Sequence, residues 1–387
     1  MSDADEKRPT RGLMLLLAVA GGVAVANLYY AQPLAAQMAV SFGVSAGAIG
    51  TALVATQIGY TLGMTLLVPL GDGRERRRVI VMTVVAAVPA LLLLSIAPNV
   101  PVLAVSSLIV GLVSSVPQMI LPYAVNLLPN SERGRVVGTI MSGLLIGILL
   151  SRTASGALGQ WLGWRSVFIT AAALMAVLAF ILRASIPEQQ PEARIPWTAI
   201  MKSLVSVWRT QPILRRRAVV GGMGFASFSV FWSTLSFQLA KVGYGSAMAG
   251  TFGVIGIAGV IVAPQVARRA TGEHPSRFNV VSLVAIALSF GVFAVFSHSL
   301  VGLGVGVVLL DAGVQANHLT NQTVIFGVAP ELRSRLNALY MVGYFIGGSI
   351  GTAVAAAAWS FAGWPAVCAV GAALALVGIL PLLGTPI

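Results

Sequence analysis

The chain has 387 residues, 57% in the hydrophobic set and 9% charged, whereas ordinary soluble domains carry about 25% charged residues. Water is therefore not its main solvent, and a soluble enzyme or binding domain is excluded. The net charge of +13 does not mark a nucleic-acid binder. Of the 24 Lys and Arg residues, all but Arg152, Arg165 and Lys241 fall at the N-terminus, in a central linker or in every second loop. This is the positive-inside distribution of a multi-span membrane protein. The expected surroundings are a lipid bilayer, with no nucleic acid and no partner subunit, and the chain is expected to be a monomer.

In chain order, the first half predicts apolar spans at Gly12–Gln37, Gly47–Gly71, Val79–Ala97, Val102–Leu128, Val136–Leu158 and Arg165–Ile186. The first run follows Lys7, Arg8 and Arg11 but is too long for a signal peptide, so it reads as a retained helix. Residues 187–217 carry Pro187, Pro191, Pro196 and Pro212 among charges and cannot span. Within that linker Trp197, Ile200, Met201, Leu204, Val205 and Trp208 recur at helical spacing, which suits an amphipathic helix on the membrane surface. The second half predicts Ala218–Leu239, Ser246–Ala267, Asn279–Ser297, Leu300–Val328, Leu336–Ala358 and Trp364–Leu383. The only cysteine, Cys368, lies in the last of these and has no disulfide partner. Basic clusters at Arg74 to Arg78, Arg133 and Arg135, Arg268 to Arg277, and Arg333 and Arg335 put both termini on the cytoplasmic side of a bacterial-type inner membrane.

A shift of 200 residues, without a gap, superposes the two halves. Gly22, Gly43, Gly50 and Gly59 fall on Gly222, Gly243, Gly250 and Gly259. Arg133, Arg135, Gly143, Gly147, Gly163 and Trp164 fall on Arg333, Arg335, Gly343, Gly347, Gly363 and Trp364. Paired arginines and a Gly-Trp at matching loop positions are not coincidences of apolar composition. The expected fold is an all-α membrane protein of twelve transmembrane helices, formed by two pseudo-symmetric six-helix bundles around a central cavity. The bundles cover 1–186 and 218–387, with 187–217 as a cytoplasmic linker.

An ionisable residue in mid-span is expensive and marks a functional site by default. Three stand out: Arg152 in span five, and Asp311 and His318 in span ten. Counted from the basic ends of their spans at 1.5 Å per residue, Arg152 and Asp311 both lie roughly 24–26 Å in. Equal depth suggests that they face one cavity and interact there, which would lower the desolvation cost of each. Asp311, Gln315, His318 and Gln322 share one helix face, with Asn317 and Asn321 beside it. Such a face can hydrogen-bond a polar solute, and Asp311 or His318 could take up a proton. Gln118 is the 200-residue counterpart of His318. In span one, Asn27 and Tyr30 are one helical turn apart and are preferred as cavity residues over Tyr29, with Gln32 nearby. Few aromatics on this face suggest a polar or cationic small solute.

The segment Leu70-Gly-Asp-Gly-Arg-Glu-Arg-Arg77 between spans two and three resembles the loop signature of the major facilitator superfamily, and the likeness extends from Gly12 to Leu383. Gly71, Gly73 and Glu75 depart from the family pattern, and Val68 replaces its leading Gly. The resemblance implies the major facilitator fold and a gate in which Asp72, Arg76 and Arg77 bridge the halves on the cytoplasmic side. Asn27-Leu-Tyr-Tyr-Ala-Gln-Pro33, Gly147-Ile-Leu-Leu-Ser-Arg152, Asp311-Ala-Gly-Val-Gln315 and Arg333-Ser-Arg-Leu-Asn337 further resemble a bacterial group described as drug:proton antiporter-like or sugar-efflux permeases. That likeness implies a small-molecule substrate, a proton as coupling ion and no other cofactor. It also implies efflux, with a facilitator or proton-coupled uptake permease as the alternative. The antiporter arginine usual in span four is missing, and Arg152 in span five can take its role. An ATP-driven pump would need a phosphate-binding loop that the chain lacks. An intramembrane enzyme would need more than one Asp and one His, so no catalytic or metal-binding residue is expected.

Overall fold

A computed structural model describes residues 11–127, 132–190, 196–256, 275–329 and 332–383; for Asp72 it describes the backbone only. All regular structure among these residues is helical. In hydrocarbon an α-helix satisfies its own backbone groups, so apolar sequence of this length has little alternative. The first half consists of α1 (Arg11–Ala26), α2 (Ala31–Phe42), α3 (Ala46–Leu66), α4 (Leu70–Gly73), α5 (Arg76–Ser95), α6 (Val100–Val113), α7 (Val116–Asn126), α8 (Arg133–Leu162) and α9 (Trp164–Ser185). The linker helix is α10 (Trp197–Thr210). The second half consists of α11 (Pro212–Lys241), α12 (Ser246–Gly256), α13 (Pro275–Val295), α14 (Leu300–Val328), α15 (Arg333–Ala362) and α16 (Trp364–Val377).

Ten helical segments among the described residues are long and apolar enough to cross a membrane. The other two expected spans are α3, which is 21 residues long but diluted by Thr56, Gln57, Thr61 and Thr65, and α12, whose continuation lies outside the described residues. Among the described residues, spans one and four are broken in mid-span. Span one stops at Ala26 and restarts at Ala31, and span four stops at Val113 and restarts at Val116. Proline explains both, because it lacks an N–H and its ring crowds the carbonyl four residues earlier. Pro33 acts on Tyr29, and Pro117 acts on Val113. The 200-residue counterparts are Ser233 and Asn317, and there α11 and α14 run on unbroken.

The duplication is visible in the backbone. Positive φ occurs among the described residues at Gly43, Gly163, Gly243 and Gly363, two pairs exactly one repeat apart in number. In each half the first span crosses a later one at glycines. A Cβ on Gly147 would strike the Gly22 backbone, and one on Gly347 would strike that of Gly222. Side-chain-free crossings of this kind let backbones approach and gain dispersion contact where lipid offers no hydrophobic driving force. One buried cluster gathers residues from Met14 to Ile186 together with Phe237, and a second gathers Val220 to Leu382. A third, with Tyr29, Tyr60, Phe225, Tyr344 and Phe345, lies where the halves meet. Outward-facing residues such as Leu15, Val19, Met82, Val85, Phe180 and Leu288 are exposed and apolar, as lipid contact requires.

At the end remote from the basic clusters the halves are sealed. Gly50 of α3 packs against Ala356 of α15, the Ser246 hydroxyl donates to the Gly156 carbonyl at 2.9 Å, and the Thr153 hydroxyl donates to that of Gly250 at 3.1 Å. At the basic end the linker clasps both halves. The Trp197 indole donates to the Leu66 carbonyl at 3.2 Å, while Val207 is buried in the cluster that includes Leu336 and Tyr340.

The glycine crossings predict a stability contrast measurable by thermal unfolding in detergent. Gly347→Ala forces the α11–α15 crossing apart and should cost about 1–3 kcal/mol, the usual range for overpacking. Gly291→Ala, where a Cβ meets nothing within 4 Å, should leave the transition unchanged or raise it slightly.

Candidate functional site

The break in span one turns the chain between α1 and α2 so that Tyr29 and Gln32 reach the same side chain, Arg152 of α8. The Gln32 side-chain carbonyl accepts from Arg152 Nε at 3.0 Å. The guanidinium carbon lies 4.7 Å from the Tyr29 ring centroid, 5.5 Å from Phe228 and 3.9 Å from Trp232, the last two on α11. Arg152 is only 2% exposed, and its Nη2 is buried without a hydrogen-bond partner. A cation in this position would cost several kcal/mol if unassisted. Aromatic faces recover part of that, because their quadrupoles attract a desolvated guanidinium by about 2 kcal/mol or more at the closest ring.

Asp311 of α14 stands at the N–H edge of Trp232. The indole Nε1 donates to Asp311 Oδ1 at 3.4 Å, a long bond, and the carboxylate is 7% exposed. Arg152 and Asp311 form no ion pair within 4.0 Å. They share one indole, which stacks on the cation with its face and donates to the anion with its edge. The two charges thus share one nook and one indole without a direct ion pair. Space for it comes from α12, where Gly253 would bring a Cβ 3.0 Å from Arg152 Cβ and Gly256 would bring one into Asp311 Oδ2. Glycines at 250, 253 and 256 follow one helix face, so α12 passes over both charges as bare backbone.

Two turns along α14 from Asp311, His318 Nδ1 lies 3.1 Å from the Tyr340 hydroxyl, and its ring centroid is 4.7 Å from that of Tyr344. Gln118 Nε2 donates to the Tyr60 hydroxyl at 3.2 Å. Gln118, Gln315 and His318 are half-buried, unlike the deeper charges. Asn27, at the start of the span-one break, is 3% exposed with both amide atoms lacking partners.

Three expectations need correction. Tyr30 packs in the first-half core, and it is Tyr29 that meets Arg152. The preference for Tyr30 assumes continuous helix through residues 27–30, which Pro33 prevents. The surroundings of the polar face are not poor in aromatics: Phe225, Phe228 and Trp232 of α11 and Tyr344 and Phe345 of α15 stack from ring to ring beside it. They come from spans that carry no charge at that depth, so pattern alone gave them no distinction from core. Asn321 does not line this nook. It is fully buried in a network within the second half, donating to the Asn317 carbonyl at 2.9 Å.

That network also holds a further buried charge, Arg217, missed because it ends a run that reads as a basic loop. The structure extends α11 back to Pro212 and turns Arg217 inward at 4% exposure. Its guanidinium donates to the Asn279 side-chain carbonyl at 2.7 Å and to the Ser276 hydroxyl at 3.0 Å. Asn279 in turn donates to the Asn317 side chain at 2.6 Å.

The residues of the loop between spans two and three make local contacts. Arg76 donates to the Gly71 carbonyl at 3.1 Å and to the Gln189 side chain at 3.3 Å. Arg77 donates to the Arg183 carbonyl and pairs with Glu188 at 3.5 Å. Glu75 caps α5, accepting from the backbone of Arg77 and Arg78 at 2.8 and 2.7 Å. These bonds tie α5 to the end of α9 and the linker. The Asp72 side chain lies outside the described residues.

A helical bundle with an apolar exterior, an internal duplication and buried polar groups where its halves meet is a polytopic membrane carrier. The Major Facilitator Superfamily description matches residues 17–330, and the chain belongs to that family of transporters. It is 40% identical over 378 residues to the uncharacterized transporter YgaY of Escherichia coli, covering 95% of this chain and 94% of that one. By fold it is similar to a bacterial homolog of the human lysosomal transporter Spinster in an inward-facing, occupied conformation. The TM-score is 0.75 at 15% identity, covering 98% of this chain and 95% of the other. It is also similar to a variant of the nucleoside transporter NupG, with a TM-score of 0.77 at 14% identity and coverage of 95% and 98%. At these identities the two structures speak for the fold alone. The protein is thus a multi-pass secondary transporter, not an enzyme.

A double-mutant cycle tests whether the two charges sense each other beside Trp232. Arg152→Met leaves Asp311 without its nearby cation, and Asp311→Leu does the converse. Each should lower the unfolding temperature, and the double variant should recover much of the loss. A coupling of about 0.5–3 kcal/mol is expected, the range for residues in one network. Strict additivity would show that the charges are independent.

Proposed function

We propose that this transporter is a proton-coupled carrier of the inner membrane in which Asp311 takes up and releases the coupling proton, and that it exports a small drug-like or sugar-like compound in exchange. The observation that carries the reading is a carboxylate buried where the halves meet, close to a cation yet not ion-paired with it. Its charged form is balanced by Arg152 through space, and its protonated form leaves Arg152 on its aromatic rings. Both states are thereby tolerable in one fold, which a proton carrier requires and a plain structural salt bridge does not. A solute that donates hydrogen bonds or positive charge to Asp311 competes with the proton for the same oxygens. Competition at one site yields exchange: the proton enters as the solute leaves. Gln118, Gln315 and His318, still half-buried, supply the polar wall along the route, and Asn27 supplies an amide at the hinge of span one.

The basic end is taken as cytoplasmic, with Asp72, Arg76 and Arg77 at the gate on that side. In the proposed cycle their present local bonds to the linker give way to contacts between the halves when the cytoplasmic side closes. The seal at the opposite end, made by α3 with α15 and α8 with α12, opens in the same movement.

The test is transport into proteoliposomes under an imposed pH gradient, with a panel of cationic drugs, sugars and amino acids. With the intact chain, one class should move against its gradient. Asp311→Asn should abolish this coupled movement by at least ~100-fold, within the range for losing a general acid–base group, while sparing equilibrium exchange. An Asp311→Asn variant that still accumulates solute would assign coupling elsewhere and leave Asp311 a structural role.

A further inference from the structure

The nook around Trp232 has a chemical selectivity of its own, and we infer that its ligand is a small zwitterion with an apolar or aromatic body, of the α-amino acid type. The inference rests on the reading of Arg152 and Asp311 as the transport site and departs from it in the solute, an amino-acid-type compound in place of a drug-like or sugar-like one.

Two opposite charges are held there without neutralising each other directly. On one side, Arg152 has its Nε bound to Gln32 and its ring-facing side covered by Trp232, while Nη2 is buried without a partner. Such an orphan donor on a 2% exposed cation is costly, and a carboxylate is the group that satisfies a guanidinium best. On the other side, Asp311 receives one long bond from the Trp232 indole. An ammonium group would supply the donors and the charge that this carboxylate lacks.

A ligand with only one charge serves the nook poorly. An anion bound at Arg152 stands beside the Asp311 carboxylate, and a cation bound at Asp311 stands beside the guanidinium. Each meets repulsion in surroundings of low dielectric. A zwitterion meets attraction at both ends and leaves the net charge of the site unchanged. The rings of Tyr29, Phe228 and Trp232 surround the guanidinium and make the rest of the nook aromatic, which suits an apolar or aromatic body. Gly253 and Gly256 put bare α12 backbone against Arg152 and Asp311, so no side chain from these positions takes the place of the partners the two charges lack.

The same arrangement decides the sense of coupling. The ammonium and the proton compete for Asp311, so binding of the zwitterion and protonation oppose each other, and by linkage each weakens the other equally. A plain organic anion would do the reverse, binding best when Asp311 is protonated. Zwitterion selectivity and exchange against protons are therefore one electrostatic fact.

The experiment is calorimetric binding to the purified full chain in detergent, using L-phenylalanine, phenethylamine, which lacks the carboxylate, and 3-phenylpropionate, which lacks the amine. Intact protein should bind L-phenylalanine about tenfold or more tightly than either analogue, since unpaired polar groups are what such a site rejects. Asp311→Asn should bind L-phenylalanine and 3-phenylpropionate alike, and Arg152→Gln should bind L-phenylalanine and phenethylamine alike. A merely structural role for either residue would weaken all three ligands together. The inference is overturned if either analogue binds the intact chain as well as L-phenylalanine does. It is equally overturned if a protein with a normal unfolding transition binds no L-phenylalanine. A sugar or cationic drug driven by the pH gradient without L-phenylalanine binding removes the zwitterion and keeps the proton coupling. The crossed binding pattern without any pH-driven transport does the opposite.

Discussion

The structure depends on how two opposite charges survive in an apolar interior without touching. Arg152 and Asp311 come from α8 and α14, one in each half, and Trp232 of α11 touches both, the cation with its ring face and the anion with its N–H. A direct ion pair in such surroundings would be tight and nearly inert, since each charge would be the only good partner of the other. Without that direct pair both groups stay receptive. The guanidinium keeps an orphan Nη2, and the carboxylate keeps capacity for a proton or a donor. Six contributors, from the span-one break to α14, converge on this point, so the site exists only when the halves are assembled.

Backbone without side chains makes the assembly possible. Gly22, Gly143 and Gly147 in one half, and Gly222, Gly343 and Gly347 in the other, let the first span of each half lie against a later one. Where the halves meet, Gly50, Gly156 and Gly250 do the same between α3, α8, α12 and α15. These contacts rely on dispersion rather than on interlocked side chains. Surfaces of that kind can separate and re-form at modest cost, which suits the interface that has to open in a transport cycle.

The halves are copies that have diverged in one physical respect. Pro33 and Pro117 break spans one and four, whereas Ser233 and Asn317 leave their counterparts α11 and α14 continuous. The second half instead carries a buried hydrogen-bond network of Arg217, Asn279, Asn317 and Asn321 where the first half has Leu17, Val79, Pro117 and Leu121. A network so fully connected stiffens the helices it joins. Among the described residues, the mid-span breaks lie in the first half and this network lies in the second.

Hydropathy, charge position and the 200-residue register determined the class of the protein, its span order and its two-fold plan. Those properties are one-dimensional: a bilayer tests each segment for length and apolarity, and loops for basic charge, nearly independently of the rest. Arg152 and Asp311 were legible for the same reason, because a charge in a span is conspicuous before any packing is known. The rest was not. Trp232, Phe228 and Tyr29 look like ordinary apolar residues until α11 and the span-one break are set against α8. Tyr30 pointed the wrong way because a proline three residues on changed the helix phase. Arg217 hid in a basic run until its helix was seen to start earlier. Which ring touches both charges, and which face of a helix is bare, depends on atoms far apart in the chain, and only the packed tertiary structure decided it.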